Sequence, residues 1–306
     1  MKKTGLIVLI VICLIVFFTT LTSGVLLTIR TIGWQDLLDQ SRLQDRLQSM
    51  VERFDFLTDL PSQREQFDID DTKTLDLTNI KIIEIAGVSE SITVHATSGV
   101  GSATLKGSYR ALSPIGWVVE ANGDVLKIYS PYPRFGVLYS NLSMTVTIPQ
   151  TFAGTVKVSS VSGAVSLPDA QQIDWNQLDV STISGSIRVE NAAFGAIKLS
   201  SISGAISLKQ IMGTIDCKTT SGAIALDYDI YKTSTVRSVS GAVQITLPAQ
   251  SSVNISYTTV SGRFKNQDLP ITVVTQTSRK LEGKIGTGEQ PLTVSTTSGS
   301  FTIKGR

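Results

Sequence analysis

The chain has 306 residues, enough for one large domain or two ordinary domains together with a membrane anchor. Its net charge of +2 at pH 7 gives no electrostatic case for a nucleic-acid-binding protein. Two cysteines exclude a disulfide framework, and the 17% content of charged residues lies below the usual quarter for soluble proteins.

The amino-terminal segment predicts a membrane anchor. Lys2 and Lys3 precede an apolar run over residues 5–29, which is long enough to cross a bilayer. A cleavable signal peptide is the alternative, but the apolar run continues beyond the small residues at 22–24, which favours a retained signal-anchor over 1–30. The positive end favours a cytoplasmic N-terminus, so we expect a single-pass cell-membrane protein whose C-terminal domain is extracytoplasmic.

Residues 31–66 predict an amphipathic juxtamembrane helix followed by a linker. Leu43, Leu47, Met50 and Phe54 recur at helical spacing. The helix is either a spacer beside the membrane or a short coiled-coil stalk for oligomerisation, and the spacer is favoured because the apolar pattern is short.

Residues 67–150 show strand patterns without a regular repeat. The turn sequence at 121–124, Ala-Asn-Gly-Asp, lies between two apolar runs and predicts a hairpin. The pair Ile92 and Val94, followed by Ser98-Gly99, resembles a degenerate first repeat. We therefore expect this region to begin and cap the repeat region that follows.

Residues 151–306 contain seven copies of one phrase, in which Ser-Gly lies between two runs of alternating aliphatic residues. The copies occupy 156–167, 178–189, 197–208, 215–226, 236–245, 255–264 and 292–303. Their glycines lie about twenty residues apart, except that the last gap is nearly twice as long. This period with strand chemistry predicts an all-β, single-chain β-solenoid, either a parallel β-helix or a β-roll.

The alternation predicts which side chains form the core. Aliphatic residues two apart on a strand share one face, so the copies stack into four inward columns, which begin at Val156, Val158, Val165 and Leu167. One copy alone cannot bury its apolar face, so neighbouring copies must cover each other. The glycine supplies a backbone corner that a Cβ would obstruct, and the serines beside it are interpreted as turn residues.

The sequence offers few groups for catalysis. His95 is the only histidine, and one histidine with one extracytoplasmic cysteine does not make a typical zinc site. Asp227 and Asp229 share a strand face, but no second carboxylate cluster accompanies them. We predict no catalytic residue, no metal and no cofactor, and we expect a protein that is not an enzyme.

A loop rich in aromatic residues is the best candidate for a binding site. Tyr132, Arg134, Phe135 and Tyr139 lie between two predicted strands, and aromatic residues with arginine are favoured at recognition sites. Alternatively, these rings fold back and close the end of the solenoid.

The Ser-Gly columns resemble a family of bacterial adhesin-like β-strand-repeat proteins, the domain of unknown function DUF4097. The resemblance covers roughly 80–303 and rests on the repeat, including the final copy, LTVSTTSGSFTI at 292–303. The single anchor makes the layout similar to LiaG-like members, which are associated with envelope stress in Gram-positive bacteria. The resemblance implies a β-solenoid outside the membrane and supplies no site residues.

Three functions are open. The first is a membrane-anchored, adhesin-like protein of the cell envelope that binds an envelope protein or a cell-wall polymer. The second is a scaffold that self-associates end to end, and the third is a polysaccharide-active β-helix enzyme. The outer faces rich in Ser and Thr, the anchor and the lack of catalytic groups favour the first, and a nucleic-acid partner is not expected.

Overall fold

The computed structural model describes residues 65–112, 114–131, 139–169 and 173–306. These residues form strands and turns, and none of them belongs to a helix long and apolar enough to cross a membrane. The predicted anchor at 1–30 and the predicted juxtamembrane helix lie outside the described residues. For the described part of the chain, the all-β fold class is confirmed.

Twenty strands run through the described residues. In chain order they are β1 (Glu65–Thr74), β2 (Ile82–Gly87), β3 (Ser91–Thr97), β4 (Ser102–Ala111), β5 (Val118–Asn122), β6 (Val125–Tyr129), β7 (Tyr139–Pro149), β8 (Thr155–Ser160), β9 (Val165–Leu167), β10 (Gln177–Thr182), β11 (Ile187–Ser201), β12 (Ile206–Thr219), β13 (Ile224–Ser238), β14 (Val243–Leu247), β15 (Val253–Thr259), β16 (Phe264–Gln267), β17 (Thr272–Gln276), β18 (Lys280–Ile285), β19 (Gln290–Thr296) and β20 (Phe301–Gly305).

The repeat builds parallel rungs, each made of a strand, a tight turn and a second strand. β8 and β10 pair in parallel with Val156 beside Leu178, and β9 pairs with the start of β11 with Val165 beside Ile187. We call the turn that carries Ser-Gly the corner. Each passage of about twenty residues therefore returns the chain in register with the previous one, which is the geometry of a β-solenoid.

Three strands are longer than the repeat predicts. β11, β12 and β13 each join the second half of one rung to the first half of the next. Asn191 and Gln210 both adopt a φ of 51° close to register shifts in the pairing, so the strand bends there and continues. The two short strands predicted for each copy are consequently continuous from one copy to the next in this part of the fold.

Strand pairing gives two ladders that share β11, β12 and β13. The ladder before the corners has the order β5, β6, β2, β8, β10, β11, β12, β13, β19, β15, β18, β17. The ladder after the corners has the order β1, β4, β7, β3, β9, β11, β12, β13, β14, β20, β16.

The last two copies do not stack in chain order. β19 pairs in parallel with β13 on one side and with β15 on the other, and β20 lies in the same way between β14 and β16. The C-terminal rung is thus inserted between two rungs that precede it in the sequence. The long final gap between glycines contains the β17–β18 hairpin, whose second strand runs antiparallel to β15.

Antiparallel strands cover most of the two ends of the solenoid. β4 pairs with β7 and is itself covered by β1, while β5 covers β6. At the opposite end, β18 covers β15 and is followed by β17. Because strand edges with unpaired backbone groups invite association, this arrangement limits the edges available for end-to-end growth.

The four predicted columns are confirmed as the core. Val156, Val158, Val165 and Leu167 are each at most 1% exposed, and the residues stacked on them are buried as well, apart from a half-buried Phe264. Burying branched aliphatic side chains contributes about 1.5–3 kcal/mol each, so the columns supply most of the driving force for folding.

A polar residue fills the one gap in the first column. Ser234 stands where the other copies have an aliphatic residue, and it is 1% exposed. Its hydroxyl lies 2.6 Å from that of Tyr228, whose ring packs edge-on against Tyr231. Burial raises the pKa of Tyr228 well above its ordinary value, so the phenol stays neutral and the pair satisfies itself inside the core.

One assignment in the irregular region is wrong. Ile92 and Val94 do not begin a rung, because Ile92 stands beside Val165, which follows a corner. They are the second half of a rung whose first half is β2 and whose corner contains Glu90 in place of glycine. That corner lacks the Ser-Gly signal, and the nearest Ser-Gly in the sequence, Ser98-Gly99, lies on the other side of Ile92 and Val94.

Candidate functional site

The predicted aromatic loop lies mostly outside the described residues. Tyr132, Arg134 and Phe135 lie outside the described residues, and Tyr139 is described only as the first backbone position of β7. The ends of the segment are nevertheless fixed, because β6 pairs with β2 and β7 pairs with β3. The segment therefore joins the two strands of the rung that precedes the one containing Glu90.

The candidate carboxylates are held by the C-terminal residue. Arg306 donates hydrogen bonds to Asp227 at 2.7 Å and to Asp229 at 3.2 Å, and a further one to the carbonyl of Tyr228 at 3.0 Å. Both carboxylates are thus committed to one guanidinium. His95 lies half-buried on β3 with Thr147 beside it, away from this group.

The corners place their glycines in one column with almost no space between them. A Cβ on Gly185 would overlap the carbonyl oxygen of Gly163, and a Cβ on Gly204 would overlap that of Gly185. The same relation continues through Gly222 and Gly241. Close approach of one backbone to the next is therefore what requires glycine at this position.

Hydrogen bonds hold the stacked corners together. The amide of Ser184 donates to the carbonyl of Val161 at 2.8 Å, and that of Ser203 donates to Ile183 at 2.8 Å. In several rungs a buried hydroxyl three residues before the glycine also bonds that glycine, as Thr182 donates to the carbonyl of Gly185 at 2.7 Å and Ser238 to that of Gly241 at 2.8 Å. These contacts place the Ser-Gly serines in turns, as predicted.

The corners expose a row of aliphatic side chains. The residue two positions before each corner glycine, or before Glu90 in its rung, is exposed, and in most rungs it is a branched aliphatic residue. Its members are Val88, Val161, Ile183, Ile202, Val239 and Val260, each between 40% and 61% exposed. Thr220 and Thr297 hold the same position in two other rungs. We call this row the aliphatic ridge.

A groove of about 460 Å³ runs beside the middle of the ridge. Its walls come from equivalent positions on successive rungs, so their chemistry repeats. They comprise Thr182, Ser200, Ser201, Ile202, Lys218, Thr219, Thr220, Arg237, Ser238, Val239, Ser295 and Thr297, which we call the corner groove. A smaller depression of about 260 Å³ follows the same face past Ser181, Ser159 and Gly87.

The corner groove has a positive lining. Lys218 and Arg237 are exposed neighbours on adjacent strands, and no carboxylate belongs to the lining. Arg237 donates through Nη1 to Asp216 at 3.1 Å, and both side chains of this pair are about half exposed. No ion pair to Lys218 is found among the described residues, so its ammonium group faces solvent.

The groove lining is rich in hydroxyl groups. It contains no histidine or carboxylate to serve as a general base. Cys217, one residue from Lys218, is turned into the core, and burial raises the pKa of its thiol far above the ordinary value. In the described ranges, no three His, Cys, Asp or Glu side chains are grouped to hold a metal ion.

The sequence contains a periodic signal for this groove. The positions immediately before and immediately after the buried hydroxyl repeat as regularly as the inward columns, and they carry Ser, Thr, Lys, Arg, Val and Ile. The sequence alone predicts turns for the serines and threonines among them, and the aromatic loop has more of the chemistry that is typical of recognition sites.

Comparison with known proteins links the chain to one family. The family model described as Toastrack DUF4097 matches residues 118–304. A solved structure from Bacteroides fragilis, provisionally described as an adhesin, is 13% identical, with 78% of this chain and 97% of that chain covered and a TM-score of 0.47. One from Clostridium sporogenes, provisionally described as a cell adhesion protein, is 12% identical, with 78% and 100% covered and a TM-score of 0.36.

A third solved structure, from Parabacteroides distasonis, is provisionally described as a lipid binding protein. It is 15% identical, with 78% of this chain and 96% of that chain covered and a TM-score of 0.40. A search of curated proteins finds no match. The family match spans more than half of the sequence, including all seven Ser-Gly copies, so the chain belongs to the Toastrack DUF4097 family.

Proposed function

We propose that this chain is a non-catalytic binding protein of the bacterial cell envelope, which recognises an extended partner through the corner groove. The observation that carries the proposal is the repetition of the groove lining from rung to rung. Adjacent strands lie about 4.8 Å apart, so equivalent side chains recur at that spacing along the solenoid. A surface that repeats in this way suits a partner that is itself long and repetitive.

The composition of the face supports binding. The aliphatic ridge offers exposed apolar contacts, such as Ile202 at 50% and Val239 at 47%, beside hydroxyls that donate and accept hydrogen bonds. A row of aligned aliphatic residues on a surface is less common than scattered ones and is typical of interaction sites. The partner in this proposal is an envelope polymer or an envelope protein.

The envelope location rests on the sequence of residues 1–30. The lysines at positions 2 and 3 and the apolar run after them favour a single-pass anchor with the repeat domain outside the membrane. A role in the response to envelope stress, as the resemblance to LiaG-like proteins implies, belongs to the same proposal.

The test is co-sedimentation of the full-length chain, purified in a mild detergent, with purified cell-wall sacculi. We expect pelleting that weakens when Ile202 and Val239 are both changed to Ser. Val100 and Ile230 are at least as exposed, at 73% and 51%, but lie outside the groove, so the variant with both changed to Ser is the matched control and should pellet normally.

Two outcomes would contradict the proposed site. Pelleting that is unchanged in the Ile202→Ser, Val239→Ser variant excludes the corner groove as the binding face. If pelleting is lost instead when Tyr132, Phe135 and Tyr139 are changed to Ala, the aromatic loop is the site, as the sequence predicted.

Self-association is a second candidate function, and one edge strand favours it. β17 pairs only with β18 among the described strands, and its Val273 and Val274 are 48% and 65% exposed. An exposed apolar edge strand is a template for pairing with another chain. Analytical ultracentrifugation tests this candidate, since Val274→Lys should abolish any concentration-dependent growth that the unchanged protein shows.

A further inference from the structure

We infer that the corner groove selects an anionic polyol-phosphate polymer, which is a chain of sugar alcohols linked through phosphodiesters. The inference rests on the proposed function and narrows it to one chemical class of partner. It follows from the charges, the hydroxyls and the side chains of the groove lining.

The charge of the groove selects an anion. Lys218 and Arg237 stand side by side on paired strands, and the lining contains no carboxylate. Asp216 engages Arg237 through Nη1 only, which leaves other donors of the guanidinium for a ligand. Charge-assisted hydrogen bonds from lysine and arginine to phosphate oxygens are about twice as strong as neutral ones.

The hydroxyls favour a ligand that is itself rich in oxygen. Ser200 precedes Lys218 in the stack, and Ser295 follows Arg237, so the two cations are flanked by hydroxyls at the same position on the neighbouring rungs. Thr220 and Thr297 present two more at the ridge. A cation pair bordered by uncharged donors matches a polymer whose phosphates alternate with hydroxyl-bearing carbons.

The absence of aromatic rings from the lining separates polymer classes. Neutral polysaccharides are commonly bound by stacking sugar rings on aromatic side chains, and the lining of the groove contains none. Ile202 and Val239 instead provide small apolar contacts that suit the CH and CH₂ groups of an open-chain polyol. An open-chain polyol-phosphate therefore fits the groove better than a neutral glycan.

The experiment measures the anisotropy of a fluorescein-labelled glycerol-phosphate oligomer titrated with the full-length chain in an uncharged detergent. The test variant carries Lys218→Gln and Arg237→Gln. The control carries Arg188→Gln and Lys209→Gln, which remove the same charge from exposed positions on the other ladder, outside the groove. We expect the test variant to bind about tenfold more weakly or worse, and the control to stay within about twofold of the unchanged protein.

Several results would overturn the inference. Equal losses in both variants would show general attraction to a polyanion, and unchanged binding in the test variant would place the site elsewhere. Binding to phosphatidylglycerol vesicles without binding to the oligomer would make the ligand a lipid surface. Higher salt should weaken specific binding, because the contacts are electrostatic and partly exposed.

Co-sedimentation with treated sacculi distinguishes a wrong ligand class from a wrong binding site. Treatment with hydrofluoric acid cleaves phosphodiester-linked polymers. If the inference is right, the protein should therefore no longer pellet with treated sacculi. If treated sacculi still retain the chain in a manner that depends on Ile202 and Val239, the groove binds another polymer and only the ligand class is wrong.

Discussion

The Oε2 atom of Glu90 lies 2.7 Å from the amide nitrogen of Val88, inside the same corner. It also accepts a hydrogen bond from the amide of Ser89 at 3.0 Å. In the next rung, the equivalent amide of Ser162 donates instead to the carbonyl of Val88 at 2.7 Å. Glu90 therefore gives the Val88 and Ser89 amides an acceptor of the kind that Ser162 finds in a backbone carbonyl, and it caps the column of corners where the Ser-Gly turns begin.

Changing Glu90 to Ala should destabilise the domain by about 2 kcal/mol or more, because two corner amides lose their acceptor. Glu90→Gln keeps an oxygen acceptor and should cost less. Urea denaturation followed by circular dichroism measures the free energy of unfolding for both variants.

The informative control is Glu90→Gly, since glycine is what the other corners have. It should be destabilised as Glu90→Ala is, despite matching the repeat, because it also lacks the carboxylate. A Glu90→Gly variant as stable as the unchanged protein would show that the column of corners needs no carboxylate cap.

The close stacking of the corner glycines leads to a second prediction, for the free energy of unfolding. A Cβ on Gly204 would overlap the carbonyl oxygen of Gly185, so Gly204→Ala forces two backbones apart and should cost about 3 kcal/mol. Gly204→Val should be worse. A Cβ on Gly116 meets nothing within 4 Å, so Gly116→Ala should change stability by less than about 0.5 kcal/mol. Equal stability of the two alanine variants would contradict the close approach of the corners.

The core was predictable because its chemistry is local and periodic. Two aliphatic residues at fixed distances on either side of Ser-Gly define the columns that begin at Val156 and Val165, and the structure buries both. The repeat period in turn determines the solenoid, because identical apolar faces have only each other to cover them.

Other features depend on contacts that the repeat does not encode. The rung that contains Glu90 lacks the Ser-Gly signal, because its carboxylate accepts the hydrogen bonds that backbone carbonyls accept in the other corners. Ser234 looks like a defect in the first column of the sequence, but in the structure Tyr228, six residues earlier on β13, satisfies its hydroxyl. The corner groove arises from outward positions, where folding constrains the sequence only weakly, so the apolar pattern does not reveal it.

Cys217 should be protected from alkylation. It is fully buried in the second column, and burial raises the pKa of its thiol, so the reactive thiolate is scarce in the folded state. In a Cys13→Ser background, iodoacetamide at pH 8 should react with Cys217 about a hundredfold or more slowly than it does in the urea-denatured chain. Rapid labelling of the folded chain would contradict the inward position of this column.

Lys218→Cys in the same background provides the matched control. Lys218 is the next residue along the strand and faces outwards into the groove. This variant should show one thiol that reacts quickly and one that reacts slowly, which separates burial of the side chain from general protection by the fold.

The inserted C-terminal rung predicts which strands can be crosslinked. Thr235 on β13 stands beside Thr293 on β19, and Thr293 stands beside Ser256 on β15. Neighbouring strands are about 4.8 Å apart, within the range of a disulfide, whereas strands separated by another are about twice as far apart and outside it. In a Cys13→Ser background, Thr235→Cys with Thr293→Cys should therefore form a disulfide on mild oxidation.

The combination of Thr235→Cys with Ser256→Cys distinguishes insertion from stacking in chain order. If the sixth copy followed the fifth directly, these two residues would be neighbours and would oxidise readily. With β19 between them they should remain free thiols, as counted by mass after alkylation in denaturant. Because both variants share the cysteine at position 235, a difference between them reports the position of the C-terminal rung rather than the reactivity of one thiol.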